Sequence, residues 1–447
     1  MPPLVTPAVQ RWIDDARRDP DAFWDRAARE LPWHRAWDKV FEWAPPETKS
    51  FRWFIGGQTN LCHNALDHHV ASGRGDRVAM LYFNERGERA SYTYAQLLDE
   101  VKRVAAALRG LGLRKGDRLT IYMPTSAEAI MLMLATVRIG AIHSVVFAGF
   151  GANALGDRIA ASGSKAVFTA DVTYRKGKDV ALLPIVEDAI RSHGSGVEHL
   201  VVWRRGDGRP AGPHHDWRDF LARGNGQSSD VEWMESNEPA YMIATSGTTA
   251  KPKLAVHCHG GYQVYMSAMG RWCFGLSADD VWWATSDIGW IVGHAYMIHA
   301  PLVAGATTVV FEGALDHPAP DANWRVAVEE FGATGIFTSP TAVRLLMRYG
   351  DGPLAGIDHA RLKRVVCAGE VLNAPAWDWL QNTILKGRAP VIDHMWQTEP
   401  AAPSSAIRTA SSCCRSSPGR ARFPCRASRA RSSDPTAGRA RRTRRAS

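Results

Sequence analysis

Short runs of β-branched and apolar residues alternate with helix-like stretches along most of this 447-residue chain. Two series of strands are predicted, the first at 118–124, 141–149, 166–170 and 199–203, the second at 241–245, 281–285, 306–311, 335–339, 364–369 and 391–396. Strands that alternate with helices of about 10–15 residues indicate βαβ units and a mostly parallel sheet. The sequence therefore predicts an α/β protein with two packed α/β units.

Breaker residues suggest where these units begin and end. Residues 1–65 are Trp-rich and irregular, and residues 204–237 are polar and rich in glycine and proline, which predicts a loop. We therefore expect an N-terminal segment 1–65, a domain 66–399 with lobes 66–237 and 238–399, and a tail 400–447. Ligands in such folds bind at the carboxyl ends of the strands.

The net charge of +9 is concentrated in the tail. Residues 400–447 contain twelve arginines, no lysine and one acidic residue, Asp434, so the preceding 399 residues carry a net charge of −2. The body of the protein is not expected to bind nucleic acid specifically. No apolar run is long enough to span a bilayer, and the N-terminus does not resemble a secretory signal. We expect a cytoplasmic protein that is not associated with a membrane.

The cysteines suggest neither a disulfide framework nor a zinc site. Four of the seven, Cys62, Cys258, Cys273 and Cys367, are scattered through the body without CxxC spacing. His257-Cys258-His259 resembles a ligand cluster. In a strand, however, Cys258 would point away from both histidines.

The strongest motif is the segment 245–253, Thr-Ser-Gly-Thr-Thr-Ala-Lys-Pro-Lys, directly after an apolar strand. Glycine and small hydroxyl residues allow backbone N–H groups to surround an anion, and the lysines add positive charge, which suits a polyphosphate. The segment lacks the Walker A pattern. The alternative is a solvent-exposed hairpin loop, because serine, threonine and glycine are common in turns.

Several segments together resemble the adenylate-forming superfamily of acyl-CoA synthetases, luciferases and adenylation domains. The loop 245–253 is similar to the family's phosphate loop, Gly369-Glu370-Val371 to its adenine-binding strand end, and the segment 393–399 to its Thr-Glu motif. SFRWFIGGQTNLCHNALDHH, starting at Ser50, and SVVFAGFGANALGDRI, starting at Ser144, look like the acetyl- and propionyl-CoA synthetase branch. The loop departs from the family pattern at Ala250 and Leu254, where relatives usually carry glycine.

The resemblance implies ATP, Mg²⁺ and coenzyme A as cofactor and substrates. Thr398 would contact the α-phosphate and Glu399 would bind Mg²⁺, a hard ion that takes oxygen ligands. We assign catalysis to Thr398, Glu399 and Lys253. The residues assigned to ATP binding are Thr245, Ser246, Gly247, Thr248, Thr249, Lys251, Gly369, Glu370, Val371, Asp393, His394, Met395, Trp396, Gln397 and Thr398. Taken alone, without the motif, Glu399 would be interpreted as a solvated surface carboxylate.

The same resemblance suggests a small acyl pocket formed by Ile291, Val292 and Trp396. An indole wall would exclude longer chains by steric overlap. Acetate-specific relatives typically have threonine where Val292 stands, which favours propionate or a similar acid. Without the motif, Trp396 would be read as a core residue, and His294, beside the pocket, could be a core histidine.

Coenzyme A is expected to meet a basic segment, Arg175-Lys176-Gly177-Lys178, together with Thr334. The alternative for the basic segment is an ordinary exposed turn.

The tail does not continue the family pattern. After Glu399 the family reads Thr-Gly-Gly-Pro, whereas this chain reads Pro400-Ala401-Ala402-Pro403, and shifting the codons by one base permits the family residues through Gly419. We therefore expect a single-base frameshift near Glu399, a disordered tail rich in Arg, Ser, Ala and Pro, and loss of the family's C-terminal domain with most of its activity. The alternative is an arginine-rich arm that binds a polyanion.

Two rivals stay open. The chain could be another adenylate-forming ligase, for a longer acyl chain or an amino acid. It could also be a catalytically dead protein that binds nucleotides or polyanions. The sequence indicates no oligomeric state.

Overall fold

The computed structural model describes residues 7–43, 50–193, 196–205, 212–245, 253–401, 403–406 and 423–424. The strands are β1 (Lys39–Trp43), β2 (Phe51–Ile55), β3 (Gln58–Thr59), β4 (Val78–Asn84), β5 (Arg89–Thr93), β6 (Arg118–Tyr122), β7 (Ile142–Val145), β8 (Ala166–Ala170), β9 (Val172–Arg175), β10 (Lys178–Ala181), β11 (His199–Trp203), β12 (His215–Asp216), β13 (Met234–Glu235), β14 (Pro239–Thr245), β15 (Lys253–Cys258), β16 (Val281–Ala284), β17 (Thr307–Glu312), β18 (Gly335–Thr338), β19 (Arg364–Cys367), β20 (Val391–Trp396), β21 (Pro403–Ala406) and β22 (Phe423–Pro424).

The helices lie between these strands. They are α1 (Pro7–Arg18), α2 (Pro20–Ala28), α3 (Tyr94–Gly110), α4 (Ala127–Arg138), α5 (Ala152–Ser162), α6 (Leu183–His193), α7 (Trp217–Ala222), α8 (His259–Phe274), α9 (Ala300–Val303), α10 (Ala322–Trp324), α11 (Pro340–Met347), α12 (Gly352–Ala355) and α13 (Ala374–Asp378). Wider helical turns of the π type cover His63–Asp67, Val70–Arg74, Gly293–His299, Arg325–Glu330 and Trp379–Ile384.

The first large sheet has the strand order β12-β11-β8-β6-β7-β14-β15. Its strands are parallel except for β15, which pairs antiparallel with β14. Helix α4 begins where the Ser126 side chain accepts a hydrogen bond from the Ala129 N–H, a typical N-cap. Its apolar residues are buried all round, as expected for a helix packed between elements of one core.

The second large sheet has the order β22-β21-β20-β19-β18-β16-β17-β4-β5. The six strands from β20 to β4 are parallel, and the pairs at both edges are antiparallel. Two parallel-rich sheets with helices between their strands confirm the predicted α/β class. Residues from both sheets, such as Ile121 and Phe337, share one continuous buried core.

The strands of the two sheets are not separated at residue 237. Strands β4 and β5, from the predicted first lobe, extend the second sheet, whereas β14 and β15, from the predicted second lobe, extend the first. The lobe limits 66–237 and 238–399 stay a proposal, since the chain crosses between the sheets twice.

The N-terminal segment is more regular than predicted. It forms α1 and α2 and a hairpin of β1 with β2, in which Phe41 pairs with Trp53. The start of α2 carried a signal that we missed, because Asp19 caps it and Pro20 occupies the first turn.

Two other regions predicted to be irregular contain regular structure. Within 204–237, α7 buries Trp217 and Phe220, so the loop interpretation is wrong for these residues. In the tail, which was expected to be disordered, the six residues of β21 and β22 form strands, and β21 pairs antiparallel with β20 and with β22. The remainder of the tail from residue 407 lies outside the described residues. Among the helices that the structure describes, none is long and apolar enough to cross a membrane.

Candidate active site

The carboxyl ends of the strands in the two sheets face each other. The Thr125 hydroxyl, which follows β6, donates to a carboxylate oxygen of Asp287, which follows β16, at 3.0 Å. The rings of Phe147, after β7, and Trp290 lie 5.8 Å apart. The carboxyl ends of β6, β7 and β16 therefore approach one another, and this edge is the usual ligand-binding region of such folds.

The predicted phosphate loop joins β14, which ends at Thr245, to β15, which begins at Lys253. Thr245 pairs with Lys253, and the Thr245 hydroxyl donates to the Lys253 carbonyl oxygen at 3.4 Å. Lys253 is exposed and Thr245 is half-buried. Ser246, Gly247, Thr248, Thr249 and Lys251 lie outside the described residues. The alternative interpretation of this segment was a solvent-exposed hairpin loop. The pairing of Thr245 with Lys253 is compatible with that interpretation and with a phosphate-binding loop.

The Thr-Glu motif forms a turn directly after β20. The Ala401 N–H donates to the Thr398 carbonyl oxygen at 3.2 Å, and Ala401 is fully buried with a positive φ of 55°. This anchored turn leaves Gln397 and Glu399 exposed and Thr398 half-buried. An exposed carboxylate at the carboxyl end of a strand suits an ion that is shared with substrate phosphates, so Glu399 fits the predicted Mg²⁺ role.

The segment 369–371 follows β19, next to β20 in the sheet. Gly369 has φ 114°, which a side chain would disfavour. Glu370 accepts hydrogen bonds from Thr341 and, at 2.6 Å, from Arg344, and these two bonds lower the pKa of its carboxyl. Val371 is 69% exposed and Met395 48% exposed. Two exposed apolar side chains thus flank the ends of adjacent strands.

Strand alternation divides the predicted nucleotide residues on β20. The His394 ring is buried edge-on against Phe274, at 5.0 Å, and Phe337, at 5.2 Å, and burial lowers its pKa to about 3. The His394 ring therefore belongs to the core and does not share the exposed face of Met395. Asp393 is half-buried beside Cys367 of β19. The side chain of Trp396 lies outside the described part of the chain.

Ile291 and Val292 follow a tight turn from Asp287 to Trp290. Ile291 is buried in the main core, and Val292 is half-buried against it. A Cβ at Gly289 would lie 2.6 Å from the Phe147 backbone, so this close approach requires glycine. Burial raises the pKa of Asp287, which accepts from the Gly289 N–H at 2.7 Å.

The predicted coenzyme A segment is the hairpin of β9 and β10. Lys176 and Gly177 form its two-residue turn, both with positive φ (52° and 74°), as a twisted hairpin requires. The Gly177 N–H donates to Glu85 at 2.7 Å, and Lys176 pairs with Asp316 at 3.0 Å. These contacts to the second sheet fix the hairpin and leave Arg175 and Lys178 exposed.

Thr334 is not brought to this region. It precedes β18 at the amino edge of the sheet, where its hydroxyl donates to Asp280 at 2.7 Å. The same hydroxyl accepts from the Val281 N–H at 3.1 Å. Thr334 and Arg175 therefore lie at opposite ends of the strands. This placement does not support a contact of both residues with the same part of coenzyme A.

A buried ion pair behind the basic hairpin was missed by the sequence analysis. Glu312, at the end of β17, accepts two hydrogen bonds from Arg205, at 2.5 and 2.9 Å. It also accepts from the Thr173 hydroxyl at 3.1 Å and from the Tyr174 N–H at 3.3 Å. The Arg205 guanidinium lies 3.7 Å from the centre of the Tyr174 ring. The only available signal was a charged residue at the end of each of two apolar strands.

A set of buried imidazoles lies beneath the hairpin of β14 and β15. The rings of His143, His257, His294 and His299 all lie within 4.6–6.0 Å of the Tyr241 ring. Burial, with a smaller effect of His294, lowers the pKa of His257 to about 3, against an opposing hydrogen bond to the Thr398 backbone. Among the described residues no group of three or more His, Cys, Asp or Glu side chains is placed to hold a metal ion.

The sequence matches two family models. The model of the AMP-binding enzymes matches residues 67–442, and the model of the acetyl-coenzyme A synthetase N-terminus matches residues 9–65. Together these matches extend over almost the whole chain.

Individual curated proteins are similar over the same region. An acetyl-coenzyme A synthetase of Rubrobacter xylanophilus is 40% identical over 413 residues, which is 92% of this chain and 63% of that protein. One of Deinococcus radiodurans is 41% identical over 410 residues, 91% of this chain and 62% of that protein. A 3-hydroxypropionyl-coenzyme A synthetase of Sulfurisphaera tokodaii is 43% identical over 392 residues, 86% of this chain and 59% of that protein. The chain thus spans about three fifths of the length of these relatives.

Proposed function

The chain belongs to the family of AMP-binding enzymes, and we propose that it uses ATP to activate a short carboxylic acid for transfer to coenzyme A. The observation that carries this proposal is the approach of the hairpin of β14 and β15 to the turn that precedes Ile291. The Tyr241 ring of β14 lies 4.6 Å from the His294 ring, which is hydrogen-bonded to Trp290 of that turn. A nucleotide and a small acid could therefore meet there.

The first half-reaction forms an acyl-adenylate. A carboxylate oxygen of the acid attacks the α-phosphorus of ATP, the bond to the β-phosphate bridging oxygen breaks, and pyrophosphate leaves. Such a reaction asks the protein for positioning and charge neutralisation rather than covalent chemistry. We assign the triphosphate to the loop 246–252, flanked by Thr245 and Lys253, and the α-phosphate to Thr398.

Glu399 would hold Mg²⁺ together with phosphate oxygens, and the ion would supply positive charge where pyrophosphate leaves. The exposed position of Glu399 on a turn anchored by buried Ala401 supports this role. The adenine base would lie by Gly369–Val371 and Met395, where exposed apolar side chains provide a surface for a flat ring.

The second half-reaction transfers the acyl group. The coenzyme A thiol attacks the acyl carbonyl carbon, and AMP leaves with the electron pair of the broken C–O bond. Exposed Arg175 and Lys178 on the anchored hairpin would attract the phosphates of coenzyme A.

We propose an acid of two or three carbon atoms. The relatives named above are acetyl- and 3-hydroxypropionyl-coenzyme A synthetases. Ile291 is buried and Val292 is packed against the core, which supports a short apolar pocket. The apolar Val292 favours propionate over acetate.

Calorimetry with ATP and Mg²⁺ tests the nucleotide part of the proposal. We expect saturable binding by the wild-type chain, weaker binding by Glu399→Gln, and unchanged binding by Glu330→Gln, whose carboxylate pairs with Arg89 on the surface. Equal ATP binding by both variants and wild type would contradict the role of Glu399. Absence of ATP binding, with salt-dependent binding of RNA, would favour the polyanion-binding alternative.

A further inference from the structure

Three parallel rings link the elements that surround the candidate site. The Tyr241 ring in β14 lies 4.7 Å from the His257 ring in β15, with an interplanar angle of 22°. It lies 4.6 Å from the His294 ring, with an angle of 23°. Tyr241 and His294 are fully buried and His257 is 5% exposed. We refer to Tyr241, His257 and His294 as the ring stack.

The His294 end of the ring stack reaches the turn that precedes Ile291. His294 Nδ1 donates to the Trp290 carbonyl oxygen at 3.1 Å, and the His294 N–H approaches the same oxygen at 3.3 Å. Tyr241 and His257 themselves belong to β14 and β15, the paired strands that precede and follow residues 246–252 in the chain.

Buried ring packing of this kind transmits displacement. Protein interiors are close-packed, so one ring cannot shift without moving its neighbours. Parallel aromatic rings also have preferred offsets that resist sliding. Burial lowers the pKa of both imidazoles, so the ring stack is uncharged at neutral pH and packs like an apolar cluster.

We propose that the ring stack consists of positioning residues that hold the Asp287–Trp290 turn in register with the hairpin of β14 and β15. Through that register, the acid carboxylate is kept in line with the α-phosphate. The positioning role rests on the proposed function. The mechanical link between the turn and the hairpin does not, since it is a property of the fold.

Two substitutions of His294 distinguish its ring contact with Tyr241 from its hydrogen bond to the Trp290 carbonyl oxygen. His294→Asn keeps an N–H donor near the Nδ1 position but removes the ring, whereas His294→Phe keeps a ring and removes the donor. His359→Asn is the matched control, because His359 is another buried imidazole outside the ring stack.

Hydrogen exchange of the full chain, followed by mass spectrometry, reports each link. We expect His294→Asn to speed exchange in residues 239–245 and 253–258 by roughly five-fold, the effect of losing one modest interaction. We expect His294→Phe to speed exchange in residues 287–294 and to leave the hairpin unchanged. His359→Asn should alter neither segment.

Two outcomes would overturn the inference. One is that His294→Asn leaves the hairpin at wild-type exchange rates. The other is that all three variants accelerate every segment equally, which is the result of general destabilisation. Neither readout needs catalysis, so a wild-type chain that fails to bind ATP would overturn the proposed function and leave this test intact.

The positioning role has its own readout in an active preparation. Tyr241→Leu should raise the KM values for ATP and for the acid together, by roughly ten-fold or more, because misplacement of reacting groups is costly. Tyr241→Phe keeps the ring and should restore both values. A Tyr241→Leu variant with wild-type KM values and only a lower yield of folded protein would contradict the role.

Discussion

Arg205 and Glu312 form a doubly hydrogen-bonded ion pair, at 2.5 and 2.9 Å, with side chains only 4% and 3% exposed. Arg205 follows a strand of the first sheet and Glu312 ends a strand of the second. The pair therefore joins the two sheets directly behind the basic hairpin that we assign to coenzyme A.

Breaking this pair should be costly. Removing one member leaves an uncompensated buried charge, so we expect Arg205→Met to lower the free energy of unfolding by about 3–5 kcal/mol. Urea unfolding followed by tryptophan fluorescence measures this. Arg191→Met, which removes an exposed ion pair with Asp188, is the control and should cost less than about 1 kcal/mol. A similar loss in both variants would contradict the account.

The buried imidazoles should make the protein sensitive to mild acid. Burial lowers the pKa of His69 and His294 to about 4 and of His257, His259 and His394 to about 3. The ordinary pKa is about 6.5, so below this pH the unfolded chain takes up protons that the folded chain cannot. Stability should therefore be full above about pH 6.5 and fall by up to about 1.4 kcal/mol per pH unit for each histidine.

The carboxyl group of Asp280 affects the stability at a lower pH than the histidines do. Burial alone would raise the pKa of Asp280, but Arg364 and the Thr334 hydroxyl lower it to about 2, so its contribution is lost only in stronger acid. Urea unfolding at pH 7.5 and pH 5.5, at constant ionic strength, tests the histidine effect. His294→Phe should show a smaller loss between the two pH values than wild type. An equal free energy of unfolding of the wild-type chain at pH 7.5 and pH 5.5 would refute the prediction.

Gly289 lies close to Phe147, and its substitution should raise the KM for the acid more than it weakens the binding of ATP. Gly289→Ala places a Cβ 2.6 Å from the Phe147 backbone, and the turn must shift at a cost of roughly 1–3 kcal/mol. We expect a higher KM for the acid and nearly unchanged ATP binding by calorimetry. The control is Gly261→Ala, whose Cβ would meet Trp53 at an ordinary 3.5 Å. Equal effects of Gly289→Ala on the two substrates would contradict the assignment of this turn.

Val292 offers a test of substrate size and polarity. If it lines the acyl pocket, Val292→Thr exchanges a methyl group for a hydroxyl and should shift preference from propionate toward acetate. One methyl contact is worth roughly 1–3 kcal/mol, so the ratio of kcat/KM values should change about ten-fold or more. Val303→Thr, a residue 8% exposed in the same core, is the control and should leave the ratio unchanged.

The sequence predicted the strands well where an apolar run ended sharply. The bounds of β8, β11 and β20 match the predicted runs, because polar residues or breakers flank each of them. Helices α1, α2 and α7 were missed, since tryptophan-rich and polar segments hid short amphipathic patterns. The capping signal at Asp19-Pro20 would have revealed α2.

The candidate site was only partly predictable. The motif residues at strand ends could be placed because the carboxyl edge of a parallel sheet is a general binding region. The inward direction of His394 follows from alternation along β20, which the motif assignment had ignored. The Arg205–Glu312 pair joins residues 107 positions apart, and the partners of the ring stack come from separate elements. A local pattern can show a charged residue at a strand end, but it does not identify the partner of that residue.

The most direct test of the central proposal is ATP–pyrophosphate exchange by the full chain with a series of straight-chain acids. Exchange reports the first half-reaction alone, in which the acid attacks ATP and pyrophosphate leaves. We predict slow exchange, since most of the activity is expected to be lost with the altered tail. This exchange should depend on acetate or propionate, fall steeply at butyrate and beyond, and be lost in Glu399→Gln. Exchange that is highest with a longer acid or an amino acid, or none with any acid despite ATP binding, would contradict it.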